Sequence, residues 1–167
     1  MYKKLKEALP LITVVFGALI ALMIVFNVLR TDDGDAIMNG LTAVFGGEVA
    51  AIGGFVSVDV NFSFLNLLAF FLPLIAAVVL FFLGKKTKKD MIMNVVFGVL
   101  LLGVFLFSMI IFTNIGSYTK GTATVGFISG DYTYEGAKIA IGAVFGMIFA
   151  IVGVLGSLLH VFIQFKK

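Results

Sequence analysis

The sequence predicts an all-α membrane protein, a bundle of four transmembrane helices carrying a small extracytoplasmic β-sheet built from its two outer loops. Three observations lead there. Hydrophobic residues make up 61% of the 167 and charged ones 13%, with a mean hydropathy of +1.17. A soluble domain is nearer half apolar and about a quarter charged, so this chain lacks the polar surface to cover a globule in water. Four apolar stretches each have about the 20 residues that a 30 Å hydrocarbon core requires. Beside one of them, VSVDVNFSF at 56–64 alternates apolar and polar residues with a strict period of two, the pattern of a half-buried strand.

The spans are residues 8–29, 62–83, 91–113 and 137–164 of a single membrane domain, and Lys138 at the lip of the fourth is their only internal charge. A lysine-rich start before an apolar run can be a signal peptide. This run is long and ends FNVLRTDDGD without a small-residue cleavage site, so it reads as an uncleaved first span. Lys3, Lys4, Lys6, Lys85, Lys86, Lys88, Lys89, Lys166 and Lys167 fall on one side of these spans, and Arg30, Lys120 and Lys138 on the other. The excess places both termini and the turn at 84–90 in the cytoplasm of a plasma membrane. The lysine clusters are therefore topology signals and lipid-headgroup contacts, and they call for no nucleic acid.

The chain matches itself at an offset of 81: VVFG at Val14–Gly17 meets VVFG at Val95–Gly98, and Lys85–Lys86 meet Lys166–Lys167. About fifteen aligned pairs are identical where this composition gives roughly eight by chance, which suggests a tandem repeat of 1–86 and 82–167. Such halves would run parallel, unlike the inverted repeats of many transporters.

The first outer loop, 30–61, opens on a short helix in DAIMNGLTAVFG, capped by Asp35, and continues through Gly-rich GGEVAAIGG into the strand of Val56, Val58 and Val60. In the second, 114–136, Ala123, Val125 and Phe127 alternate with polar or small residues before a turn at Gly130–Asp131. A lone strand leaves its backbone groups unpaired, so strands from the two loops are expected to pair, with Ser57, Asp59 and Asn61 outward. Helical extension of 56–61 is the competing expectation. A long outer loop, a short basic inner turn and a shorter outer loop, with strands outside, resemble the layout of claudin-type tetraspan proteins. The resemblance covers topology and loop order alone. The tryptophan and paired cysteines of the claudin signature have no counterpart here, because the chain contains neither residue, and no functional residue carries over.

Inside the membrane the clearest pattern is Gly142, Gly146, Ala150, Gly153 and Ser157, spaced four, four, three and four. At 100° per residue they form one small-residue stripe that lets another helix approach closely, within the bundle or between protomers. Thr13, Asn27, Asn94, Ser108 and His160 are the polar residues of the spans. They serve as interhelical glue or, alternatively, line a polar path. Pro73 removes a hydrogen bond to Ala69 and should kink the second span.

Chemistry is sparse. Without cysteine there is no disulfide, thiolate metal site or cysteine nucleophile. His160 is the single histidine and no carboxylate sits at depth. Asp32, Asp33 and Asp35 lack the spacing of a calcium loop. The expectation is a non-enzymatic structural or interaction protein without cofactor or metal, an accessory subunit or self-associating tetraspan whose partners are lipid, another membrane-complex chain or its own copies. The alternative is a small channel or transporter, which usually keeps an ionisable group within the membrane.

Overall fold

The computed structural model describes residues 2–52, 56–86 and 90–165. Lys88, Lys89, Lys166 and Lys167, part of the orientation argument, lie outside the described residues. Four helices are long and apolar enough to cross a membrane: α1 (Tyr2–Leu22), α3 (Phe64–Lys86), α4 (Met91–Thr113) and α6 (Ile141–Gln164). Two short helices, α2 (Gly40–Phe45) and α5 (Ile115–Tyr118), lie in the connections between them. The strands are β1 (Asn27–Arg30), β2 (Ala36–Asn39), β3 (Gly47–Ile52), β4 (Val56–Val60), β5 (Lys120–Val125), β6 (Ile128–Thr133) and β7 (Lys138–Ile139).

The long helices pack in the cyclic order α1, α3, α4, α6, each against two neighbours. Between 22% and 39% of each helix's apolar window is buried, so most of the bundle's surface is also apolar. Ile75, Phe82, Ile92, Val99, Leu155 and Phe162 all point outward. A bundle with such a surface needs an apolar medium around it. Its axis is filled in the half nearer the sheets by Phe70, Phe105 and Phe112, all fully buried, with Phe70 and Phe112 edge-to-face at 4.9 Å. The two VVFG glycines both sit at helix contacts, Gly17 against the backbone of α3 and Gly98 against side chains of α6. A Cβ on Gly17 would lie 2.8 Å from Leu74 Cα, and one on Gly98 would press on Val161 and His160.

The strands of residues 56–60 and 120–125 do pair, and they join a four-stranded antiparallel sheet of order β3-β4-β5-β6. Val58 faces Ala123, and Val60 faces Gly121. Val60 is buried and Val58 half-buried against the core, whereas Asp59 and Asn61 face out. The helical alternative for 56–61 is thereby excluded.

Several expectations need correction. The α-helix of the first span stops at Leu22, and a 3₁₀ turn at Met23–Val25 completes its apolar window, short of the expected residue 29. Asn27, Val28 and Leu29 belong to strand β1, the centre of a second, three-stranded sheet of order β2-β1-β7. Backbone pairing on both sides of β1 overrides the apolar run that resembled more helix. β7 likewise delays the fourth helix to Ile141, and the second helix runs from Phe64 to Lys86, later than its expected 62–83. The short helix begins at Gly40, and Asn39 caps it: Oδ1 accepts from Thr42 N at 2.9 Å. Asp35 instead closes a turn with Thr31, whose Oγ1 accepts from Asp35 N at 3.1 Å. GGEVAAIGG contains a strand, β3, rather than loop alone; its residues 53–54 lie outside the described residues.

The turn expected at Gly130–Asp131 falls at Gly126–Phe127. Val125 and Ile128 are paired, which leaves a two-residue hairpin loop, and Gly126 at φ 62° supplies the left-handed residue such loops require. Phe127 is consequently in the turn and not in a strand, and Gly130 and Asp131 are strand residues of β6.

Candidate functional site

Two places gather the residues that could do something specific. The first is the junction between the helices and the sheets. Asn66, one turn into α3, is fully buried, and its Nδ2 donates to Ala43 O and to Thr119 Oγ1, both at 2.9 Å. Thr119 Oγ1 in turn donates to Ile115 O at 2.8 Å. Ser63 Oγ donates to Tyr118 O, and Ser63 N donates to Val44 O, each at 2.9 Å. These bonds tie α2, α3 and α5, and through them both connections, at one buried point where bulk water is excluded. There a polar group without a partner is costly. Asn66 Oδ1 is buried there without a hydrogen-bond partner, and Tyr134 Oη, just after β6, is likewise buried and unpartnered. Burial pushes the Tyr134 phenol above its ordinary value of 10.0, and the neighbouring Tyr132, edge-to-face at 4.9 Å, adds to the rise. Asn66 is not among the polar residues singled out in the spans, yet it is the one strongly polar side chain in an otherwise apolar stretch, a signal the sequence does carry.

The second place is a cavity of about 500 Å³ among the four long helices, at the end away from the sheets. Thr13, Asn94 and His160 line it together with Gln164, and Lys85 stands at its rim. So three of the five polar residues singled out in the spans converge. Thr13 Oγ1 donates to Pro10 O at 2.8 Å, and Asn94 Nδ2 donates to Asp90 O at 2.8 Å, one turn back at the cap of α4.

The other two polar residues lie elsewhere. Asn27, on β1, borders a separate cleft beside Asn39, Thr42 and Glu48. Ser108 is buried in α4 with its hydroxyl unpartnered, outside both cavities. Asn27 thus lines a different cleft from Asn94, and Ser108 lines neither of the two.

The small-residue stripe of α6 faces inward along its whole length. A Cβ at Gly146 would lie 3.0 Å from the Phe112 ring, one at Gly153 would overlap the Phe105 ring, and one at Gly142 would lie 2.9 Å from Asn27 O. Ala150 and Ser157 are fully buried, and Ser157 Oγ donates back to Gly153 O at 2.8 Å. The stripe is thus occupied by α4 and by the chain leaving α1, which leaves it no surface for a neighbouring protomer.

Comparison of the chain with protein families, with curated proteins and with solved structures gave no match. What the site can do rests on its geometry. Among the described residues no group of three histidine, cysteine or acidic side chains is placed to hold a metal. Asp32 instead pairs with Lys138 at 2.9 Å in an exposed contact.

The remaining exposed feature is the β5–β6 hairpin. Every residue of β6 is exposed, and β6 is an edge strand whose far side pairs with no strand among the described residues. Val125, Phe127 and Ile128 form an apolar tip, with Phe127 fully exposed and Ile128 at 78%. Val56, Val58, Val60 and Ala123 lie behind it in the sheet.

Proposed function

We propose that the chain is a multi-pass membrane protein of interaction type. Its four helices cross the plasma membrane with both termini cytoplasmic and hold an outer β unit that docks to another protein, either a partner in a membrane complex or a second copy. The reading is non-enzymatic and requires no cofactor. The observation that carries it is the β5–β6 hairpin. A long open strand edge is normally blunted by charge, proline or a covering element, and here Ile128–Thr133 carries one charge, Asp131, and no proline. An apolar tip beside an open edge suits strand addition, in which backbone bonds supply affinity and the tip supplies specificity. The claudin-like layout belongs to this reading as an analogy of arrangement.

The test is co-purification and native size in mild detergent. A double substitution Phe127→Ser/Ile128→Thr is expected to release the bound chain, weakening association roughly thirtyfold, the loss of about 2 kcal/mol typical of a hot spot. The melting temperature should stay unchanged, because neither side chain is packed. A wild-type particle that is strictly monomeric, with no associated chain, would overturn the reading.

A second reading, a small channel or transporter for a neutral solute, is favoured by the cavity lined with Thr13, Asn94 and His160. Phe70, Phe105 and Phe112 close the bundle beyond it, so one chain offers half a path. Solute flux in reconstituted vesicles that Asn94→Leu abolishes would support this alternative.

A further inference from the structure

The interhelical cavity has the properties of a ligand site in its own right. Its 500 Å³ falls within the roughly 300–1,000 Å³ of small-molecule sites. It reaches inward from Gly84 to Ala77 and from Asn94 to Leu101, seven residues along each helix, or about 10 Å at 1.5 Å per residue. Its deep wall is largely apolar, formed by Leu80, Ala77, Phe97 and Leu101 with the buried Thr13 and His160 among them, whereas Asn94, Gln164 and Lys85 stand at the ends of their helices. A cluster of waters would find only Thr13, whose hydroxyl already donates to Pro10 O, and His160 as polar side chains on the deep wall. A purely apolar guest would desolvate the polar rim.

Charge decides between the remaining occupants. Among the described residues that line the cavity none is acidic and one is a lysine. The Lys85 ammonium lies 4.3 Å from the centre of the Phe81 ring, itself part of the wall, and pairs with no carboxylate among the described residues. The cation is thus held at the rim by a ring face, with donors left for an anion.

We infer that this cavity binds one anionic amphiphile, its acid group at Lys85 beside Asn94 and Gln164 and its acyl chain between the helices. The acid group is the phosphate of a phospholipid or the carboxylate of a fatty acid. The site is independent of the docking hairpin, at the opposite end of the bundle.

Native mass spectrometry of the whole chain in mild detergent tests it, with dioleoylphosphatidylglycerol, dioleoylphosphatidylcholine and oleate as probes. One anionic amphiphile retained per chain is expected. Retention of phosphatidylglycerol alone assigns a phospholipid, and stronger retention of oleate assigns a fatty acid. Lys85→Gln should weaken the anionic probe roughly fivefold, the effect of one cation near a headgroup, and leave phosphatidylcholine unchanged. Lys120→Gln, at the far end, should change nothing. Equal retention of phosphatidylcholine and the anionic probes, or no loss in Lys85→Gln, overturns the inference. In the unaltered protein, a diazirine on the acyl chain should label Leu80, Phe97 or Leu101. Labelling confined to outward-facing Ile75 and Ile92 would also overturn it.

Discussion

Replacing Asn66 with leucine is expected to destabilise the protein by about 2–3 kcal/mol, despite matching the apolar character of the surrounding helix. The substitution orphans Ala43 O in a buried place, where losing a partner costs about 1–3 kcal/mol. It also takes a donor from Thr119 Oγ1, which keeps its bond to Ile115 O and so loses less. Removal of the unpartnered Oδ1 offsets part of the cost. In a thermal melt in mild detergent the midpoint should fall by roughly 5–10 °C for a chain of this length. Exposed Asn61→Leu, five residues earlier, should stay within about 0.5 kcal/mol. A double-mutant cycle with Thr119→Val should show a coupling of at least about 0.5 kcal/mol. Strict additivity would mean that the buried bond between Asn66 and Thr119 does not bind the two connections together.

Gly153→Leu is expected to have a comparable or larger effect through packing. The first carbon added already overlaps the buried Phe105 ring, and the remaining carbons must force α6 away from α4. Overpacking a filled core costs about 1–3 kcal/mol, and more when a ring cannot move. Phe105 is fully buried, so the upper end, about 3 kcal/mol with loss of monodisperse material in size exclusion, is the expected outcome. Gly103→Leu, on the exposed side of α4 with open space at its Cβ, should be neutral or stabilising through helix propensity. Phe105→Ala should restore part of the stability lost in Gly153→Leu, since it vacates the volume the leucine needs. A Gly153→Leu protein as stable as the original would contradict the close α4–α6 approach.

Which parts of this architecture the residues reveal depends on whether the deciding partner is local. Helix α4 is read to the residue because Asp90 caps it, Oδ1 accepting from Met93 N at 3.2 Å, and a polar Asn114 ends it. Strand β4 is legible from its own alternation. Strand β1 is not: Asn27–Arg30 continues an apolar run, and what makes it extended is pairing with Ala36–Asn39 and with Lys138–Ile139, more than a hundred residues away. The cap of α2 is not legible in the sequence, because Asp35 and Asn39 are both suitable residues. Thr31 claims the first, and β2 occupies the residues between them. In the cavity, Thr13, Asn94 and His160 stood out as polar residues of apolar helices, and Thr13 and Asn94 are equivalent across the 81-residue offset. Lys85 did not stand out, because its charge resembles every other lysine at a helix end until the ring of Phe81 fixes it at the rim.

The absence of native cysteine permits a decisive cross-link. Ser57 and Thr124 are Cα partners across β4 and β5, and antiparallel partners lie about 4.5–5.5 Å apart, within disulfide range. A Ser57→Cys/Thr124→Cys protein in intact cells should oxidise readily and reopen with a reductant that cannot cross the membrane. A Ser57→Cys/Lys120→Cys control, four residues out of register and about 13 Å off, should not close. Rapid cross-linking of the control in preference to the paired positions, or a disulfide reached only after lysis, would contradict two connections joined into one sheet outside the bilayer.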